Sequence, residues 1–448
     1  MSRRLLEALF SAVGECVATG EAVRILCAQD ASRLGWVKPL AVVRPRSADD
    51  VAATVRVLCD FGVPLYTRGG ASGLSGGALV TRPGVVLDMA QMKGVLRISR
   101  RDRTVTALAG TLIGEIQKAA AALNLLYPPD PASAAFCSLG GNIAENAGGL
   151  RALKYGTTAH HLLAATVVTG SADILHLGSQ THKNVAGLNL LSLLCGSEGT
   201  LGVVTEATMR LLPAPPAVGC VSAVFETEEA AIEAAFGVLE SGLLPRALEF
   251  VDGVCAKAAA RVSDAAKNWA CGKPFLIVEF DGTESAVRDE CGQAEALLRP
   301  GALRVAAAYG KETERLWSAR RVLSTALTSA APRKVSEDIC VPPSKLPQIC
   351  RLIRSLSAPP HITACAYGHL GDGNLHVNFL LHSTDNAPVE RLLDAVLALR
   401  GTITGEHGVG AAKLPFLKKQ ISPETLTLMR RIKSVFDPAG ILNPQKAY

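Results

Sequence analysis

The sequence contains no Cys-x-x-Cys pair; its twelve cysteines are scattered, the nearest two being Cys340 and Cys350. Closely spaced thiolates are what a zinc ribbon or an iron–sulfur ligand run requires, so neither is expected. No stretch reaches the roughly 20 apolar residues needed for a membrane-spanning helix. Glu7 and Glu15 interrupt the apolar start, which therefore reads as an amphipathic surface helix rather than a signal peptide. There is no dense basic run either. The net charge of +6 is the difference between 46 basic and 40 acidic residues spread along the chain. Nucleic acid is not an expected partner, and the mild excess favours small anions. Internal repeats and low-complexity tracts are also lacking. Scattered thiols in a chain of this size fit a reducing cytoplasm, with docking at the inner membrane only through a partner.

What is present is a globular balance, 48% apolar against 19% charged, over 448 residues, enough for two or three domains. Strands are expected at 40–43, 63–67, 85–88 and 104–109, with helices over 47–61 and 112–123. Ser47 opens the first of these helices, and Asp49 and Asp50 fill its first turn. Pro213 to Pro216 marks a stiff boundary. Beyond it the pattern reads strand 221–225, helix 228–239 and strands 246–251 and 275–280. A helix over 312–328 and a strand pair within 362–381 follow, and the stretch after Thr402 reads as mostly helical. Both halves are α+β.

Three glycine clusters stand between apolar strands. Arg68, Gly69, Gly70, Ala71, Ser72, Gly73, Leu74, Ser75, Gly76 and Gly77 follow a strand directly. The spacing matches neither a Rossmann Gly-x-Gly-x-x-Gly nor a Walker loop. Backbone freedom here suits a flexible turn or a cradle of N–H groups for phosphate. The second cluster runs from Pro129, Asp130 and Ser133 through Ser138, Gly140, Gly141, Asn142 and Asn146 to Gly148 and Gly149, with Tyr155 shortly after. The third includes Glu198, Gly199, Gly202, Val203 and Val204. Asn443 lies in the closing Ile-Leu-Asn-Pro.

Tyr367-Gly-His-Leu-Gly-Asp-Gly-Asn-Leu-His-Val-Asn378 forms a hairpin signal, because Gly-Asp-Gly-Asn rules out a helix. Folded symmetrically, Leu370 faces Leu375 and His369 faces His376, with Asn378 on the same face. Such a pair is either a hydrogen-bonded feature or two ligands of one metal. Glu406 and His407 sit in a second, glycine-framed loop. Two histidines and a carboxylate with open positions make a catalytic rather than a structural metal set. Arg320 and Ser324 fall one turn apart on the expected helix, and Lys334 precedes Ser336-Glu-Asp-Ile-Cys-Val-Pro342. His160, His161, His176 and His182 have no spaced partners, and Cys365 reads as packing.

From about Pro39 to the C-terminus these segments, in this order, resemble the FAD-dependent proteins of the vanillyl-alcohol oxidase type. The likeness is strongest to the glycolate oxidase flavoprotein subunit, D-lactate dehydrogenase and D-2-hydroxyglutarate dehydrogenase. The resemblance implies a vanillyl-alcohol-oxidase-type FAD domain over 1–215. It also implies a cap domain over 216–401 built on an antiparallel sheet, and a C-terminal helical return over 402–448. It implies that the first glycine loop wraps the pyrophosphate and that the other two line the flavin. FAD would be non-covalent, since no histidine lies between Arg68 and Gly77. His369, His376 and Glu406 would bind a divalent metal, usually zinc, and His407 would be the general base. Arg320 would take the substrate carboxylate, with Ser324, Lys334 and Asn378 as further substrate contacts; Ser336 stands where some relatives have a substrate lysine. The activity implied is oxidation of a small D-2-hydroxy acid, D-lactate or glycolate first, with a separate electron acceptor: a quinone, an iron–sulfur subunit or an electron-transfer flavoprotein. A homodimer is compatible with this reading. A silent FAD-binding subunit, an oxygen-using oxidase and a non-redox flavin synthase are the rivals.

Overall fold

The computed structural model describes residues 2–264, 266, 272–358, 360–382 and 386–448. Contacts divide the chain into a first unit, residues 1–148, 157–214 and 406–448, and a second unit, residues 149–156 and 215–405.

The first unit opens with β1 (Val17–Ala18), β2 (Ala41–Val43), β3 (Leu65–Arg68) and β4 (Val85–Asp88), a sheet in the order β1-β2-β4-β3. β3 and β2 both run parallel to β4. The crossover from β2 to β3 is the helix Ala48–Phe61, as parallel pairing requires. Its start follows from capping. The Ser47 hydroxyl accepts the Asp50 N–H at 3.1 Å, and Gly62 ends the helix at φ 62°. The amphipathic helix Ser2–Val13 buries Leu5 and Leu9 with Val51, Val55 and Leu58 in one core.

Next come β5 (Val95–Ser99), β6 (Thr104–Leu108), the short β7 (Leu125–Leu126), β8 (Leu162–Val168), β9 (Ile174–Gly178), β10 (Val203–Arg210) and β11 (Leu212–Pro213). β7 pairs with β11, and the others form an antiparallel sheet in the order β5-β6-β10-β8-β9. Val105, Ala107, Val167 and Met209 pack there with Ile113, Ile116, Leu139 and Ile143. After residue 406, helices cover only Leu414–Gln420 and Pro423–Phe436, so the end of the chain is less helical than its composition suggests.

The second unit is one antiparallel sheet of seven strands: β12 (Ala217–Phe225), β13 (Ala247–Val251), β14 (Phe275–Gly282), β15 (Ala302–Tyr309), β16 (Arg333–Cys340), β17 (Ile362–His369) and β18 (Asn374–Leu381). Their order is β15-β12-β14-β13-β17-β18-β16. Alternation separates two faces. Leu375, Val377 and Phe379 lie on one. The other carries Val251, Ile277, Cys365 and Tyr367, which share a core with Ala256, Trp317, Leu323 and Leu327 from three helices. Set into that second face by register are Glu249, Glu279, Asp338, His369, His376 and Asn378.

The expected single helix over 312–328 is two, Thr313–Arg321 and Leu323–Thr328, with Val322 between them. Each half turns different residues inward. Trp317 donates its indole N–H to Glu279 at 2.7 Å, whereas Leu323, Ala326 and Leu327 are buried. Arg320 and Ser324 therefore sit on separate helices rather than one turn apart on the same one. Among the described residues, no helix is long and apolar enough to cross a membrane.

Candidate functional site

The histidine hairpin forms, in a different register from the symmetric one. His369 stands opposite Asn374 and His376 opposite Tyr367. The loop is Leu370–Gly373, a single tight turn that closes through Gly373 at φ 79°. A Cβ at Gly373 would overlap the Val341 carbonyl oxygen, so only glycine fits this position. Leu370 is drawn into the interior, and Asn374 enters the ladder, where its amide donates to Asp338 Oδ1 at 2.7 Å and to the Ile339 carbonyl at 2.9 Å. His369 and His376 thus become diagonal neighbours on one face instead of a facing pair. Diagonal neighbours remain within reach of long side chains. Their rings lie 5.3 Å apart at 87°, and a ligand nitrogen of each lies within 4.8 Å of the other's.

Both imidazoles have a buried carboxylate beside Nδ1. His369 Nδ1 is hydrogen-bonded to Glu249 Oε1, directly across the strand pair, and His376 Nδ1 lies 3.6 Å from Asp338 Oδ1. A carboxylate at one ring nitrogen orients a histidine to bind a metal through the other. Glu249 Oε2 accepts Arg320 Nε at 2.7 Å, and the guanidinium lies 4.4 Å over the Tyr367 ring. Burial raises the Glu249 pKa, but His369 and Arg320 more than offset it and hold the carboxyl below its usual value. Among the described residues the two Nη groups of Arg320 have no hydrogen-bond partner. Asp338 is fully buried, its Oδ2 accepting from Gly405 N at 2.9 Å and Thr404 Oγ1 at 3.2 Å.

Sequence reading overlooked both carboxylates. A signal existed for Glu249, a lone charge in the otherwise apolar strand Ala-Leu-Glu-Phe-Val. Asn378 lies on the face of His376, as expected, but it is fully buried: its amide donates to the His376 carbonyl at 3.0 Å and accepts from Ser336 Oγ at 3.1 Å. Its polar atoms are engaged in holding the hairpin. Lys334 and Ser324 are brought together, Nζ to Oγ, at 3.2 Å. Cys365 packs with its Sγ 3.6 Å from the Asn378 carbonyl. Asp252, Cys255 and Cys365 also cluster, but both Asp252 oxygens take backbone N–H groups, from Cys255 at 2.7 Å and Ala366 at 2.6 Å, as a helix cap does.

In the first unit the glycine clusters converge. A Cβ at Gly70 would overlap the Phe136 carbonyl oxygen, so the first loop lies directly on the segment leading to Ser138. Ser138 caps the helix Leu139–Glu145 through the Gly141 N–H at 3.3 Å. Asn443 Nδ2 donates to the carbonyls of Gly77 at 3.0 Å and Glu198 at 2.6 Å, tying the first and third clusters to the chain's end. Ala71, Asn146, Glu198 and Asn443 all have positive φ, between 41° and 52°. Each such residue costs on the order of 1–3 kcal/mol, and strain of this kind gathers where backbone is shaped for a ligand. The segments therefore fit a dinucleotide cradle.

Glu198 of the third cluster also belongs to a buried charged group whose other members, Glu145 and Lys446, the sequence reading did not single out. Burial, then Glu198 and Asp30, raise the Glu145 pKa well above the carboxylate range. Burial also raises that of Glu198, although its oxygens accept the N–H groups of Val409 and Gly410, each at 2.7 Å. Lys446 is pushed down to about 8 by the same burial. The loop carrying His407 is thus pinned on both sides, since Ser75 Oγ donates to the His407 carbonyl at 2.8 Å.

The remaining expected residues make contacts of their own. Arg68 donates to the Gln29 carbonyl; Pro129 and Asp130 accept from Gln117 at 3.0 and 3.1 Å; and Val203 and Val204 pair with Val168 and Val167. Gly73 and Leu74 are exposed. Gly149 and Tyr155 belong to the second unit, where the Tyr155 hydroxyl donates to Asp281 at 2.8 Å. Glu406 and His407 begin the last segment of the first unit. One peptide bond joins them to Gly405, whose N–H is held by Asp338 in the second.

Comparison with known proteins matches residues 39–178 to the FAD binding domain and residues 214–447 to the C-terminal domain of FAD linked oxidases. The chain is 34% identical over 436 residues to glycolate oxidase subunit GlcD of Bacillus subtilis (strain 168), covering 95% of this chain and 92% of that one. It is 35% identical over 440 residues to the D-lactate dehydrogenase of Archaeoglobus fulgidus, covering 95% and 97%. The structure superposes on that of p-cresol methylhydroxylase with a TM-score of 0.83 at 16% identity, over 99% of this chain and 96% of that one.

Proposed function

From the premise that this chain belongs to the FAD-linked oxidases, an oxidoreductase family whose relatives act on 2-hydroxy acids, we propose that it dehydrogenates a small D-2-hydroxy acid, D-lactate or glycolate first, to the 2-keto acid. The single observation that carries the proposal is the Arg320–Glu249–His369 chain on the second unit's sheet, with His376 beside it. It sets a cation for a carboxylate next to two imidazoles for a divalent metal.

His369, His376 and Glu406 are the proposed ligands. Glu406 follows Gly405 directly, and Gly405 is hydrogen-bonded to the carboxylate facing His376, so the chain's own connectivity limits how far Glu406 can stray. A zinc-like dication held by this set would supply the Lewis acidity that lowers a hydroxyl's pKa by several units. FAD, when bound, supplies a two-electron acceptor for the hydrogen on Cα. Arg320 offers its two Nη groups to the substrate carboxylate and so orients Cα. His407 takes the hydroxyl proton while the side chains of Ser75 and Glu198 hold the backbone of its loop. The organic product is the 2-keto acid, with the hydroxyl proton on His407; a separate carrier, a quinone, an iron–sulfur subunit or an electron-transfer flavoprotein, would take up the two electrons.

Anaerobic bleaching of the flavin by D-lactate, glycolate and D-2-hydroxyglutarate, each in turn with zinc supplied, tests the proposal. Loss of the flavin absorbance with D-lactate or glycolate is expected. No bleaching by any of the three would remove the substrate class. Opening the reduced protein to air-saturated buffer in a stopped-flow instrument reports whether oxygen is an acceptor.

A further inference from the structure

Resting on the function proposed above, we infer that Glu249 is a positioning residue that locks the metal ligand His369 and the carboxylate clamp Arg320 into one rigid element. Each of its oxygens has its own partner. Oε1 holds His369 Nδ1 from the adjacent strand, and Oε2 holds Arg320 Nε from the helix Thr313–Arg321. The side chain is fully buried, so no water competes for either contact.

Two consequences follow for the groups that meet ligands. The contact at Nδ1 fixes the orientation of the His369 ring and so the direction in which its Nε2 points. With Nε engaged and the guanidinium plane resting on Tyr367, the Nη edge of Arg320 is held in one orientation. The separation between the metal-facing nitrogen and the carboxylate-facing edge is therefore set by a single side chain.

Glu279 supplies an internal contrast. It lies on the same sheet face and is equally sequestered, but its partners are Arg246 and Trp317, neither of which is a proposed ligand-binding group. A buried carboxylate is thus available whose loss tests fold alone.

The experiment uses the full-length FAD-loaded protein and its Glu249→Gln variant. Glutamine keeps the size but offers one acceptor and one donor, so it cannot accept from both partners. Zinc affinity is measured by competition with a chromophoric chelator. The values of kcat and KM are measured with whichever of D-lactate and glycolate bleaches the wild type. Zinc affinity is expected to fall about 10–100-fold. KM is expected to rise at least about tenfold as the clamp loosens, with flavin content and spectrum unchanged. Glu279→Gln is expected to leave zinc affinity within about twofold, because it touches no ligand. Should Glu249→Gln not accumulate as folded protein, Glu249→Asp, too short to span both partners, is read in the same way.

Wild-type zinc affinity and KM in the Glu249 variant overturn the inference, as do equal losses in the Glu249 and Glu279 variants. A wild type that binds no zinc and is bleached by none of the acids instead overturns the proposed function. If the wild type passes both tests and the Glu249 variant is indistinguishable from it, only the positioning role fails.

Discussion

Replacing Asp338 by asparagine should loosen the hairpin and the loop that leads to Glu406 together. Asp338 sits opposite His376 in the sheet and accepts hydrogen bonds from Asn374 Nδ2, Gly405 N and Thr404 Oγ1, at 2.7, 2.9 and 3.2 Å. Gly405 N–H can only donate, and turning the Asn374 amide over to accept would give up its 2.9 Å bond to the Ile339 carbonyl. Asparagine at 338 presents one NH2 group, which must face one of them. A hydrogen bond to a charged group contributes about 1.5–3 kcal/mol, and leaving a buried donor facing another donor adds its desolvation, so the loss is about 2–4 kcal/mol. For a unit of this size each kcal/mol shifts Tm by about 2–4 °C, which gives a fall of about 4–16 °C. Thermal unfolding followed by far-UV circular dichroism reads the shift, and zinc content after desalting reads the site. The reasoning is refuted by an Asp338→Asn protein with wild-type Tm and wild-type zinc content.

His369→Ala should lose turnover while keeping the flavin spectrum, and a chelator should do the same to the wild type until zinc is returned; wild-type activity in the variant would remove the metal role. Arg320→Lys keeps the charge but not the planar fork, so KM should rise about tenfold with little change in flavin content; steady-state kinetics decide. Gly70→Ala forces a Cβ into the Phe136 carbonyl, and the resulting shift, costing about 1–3 kcal/mol, should appear as weaker FAD retention on gel filtration. Glu228 is raised to about 7, by burial first and Asp252 second, with Arg354 opposing. A carboxyl whose folded pKa exceeds its unfolded value contributes stability below about pH 4.5 that is lost as pH rises through about 7. Glu228→Gln should therefore match the wild type near pH 4.5 and exceed it by about 2 kcal/mol near pH 8, a figure discounted for partial solvent access. Equal urea midpoints at both pH values would refute this.

Local chemistry made much of the fold legible. Ser47 with Asp49 and Asp50 announces the helix that begins at Ala48, and the short apolar runs before and after it are the observed β2, β3 and β4. Gly-Asp-Gly-Asn predicts a turn because those residue types favour no alternative. What it does not carry is the register. The choice between Leu370–Gly373 and Gly371–Asn374 depends on Val341 lying against Gly373 and on Asp338 waiting for Asn374, both supplied by β16 and the residue that follows it, some thirty residues away. The break at Val322 is of the same kind, decided by which residues the sheet beneath accepts.

The sequence by itself determined the residue types of the candidate site, their order and the two α+β units, because capping, alternation and glycine punctuation act within a few residues. Only tertiary structure decided that the histidines meet diagonally, that Glu249 stands between His369 and Arg320, and that Glu145, Glu198 and Lys446 are buried together. Each of these is a meeting of side chains distant along the chain, governed by sheet register and burial, and neither quantity is a property of any local stretch of residues.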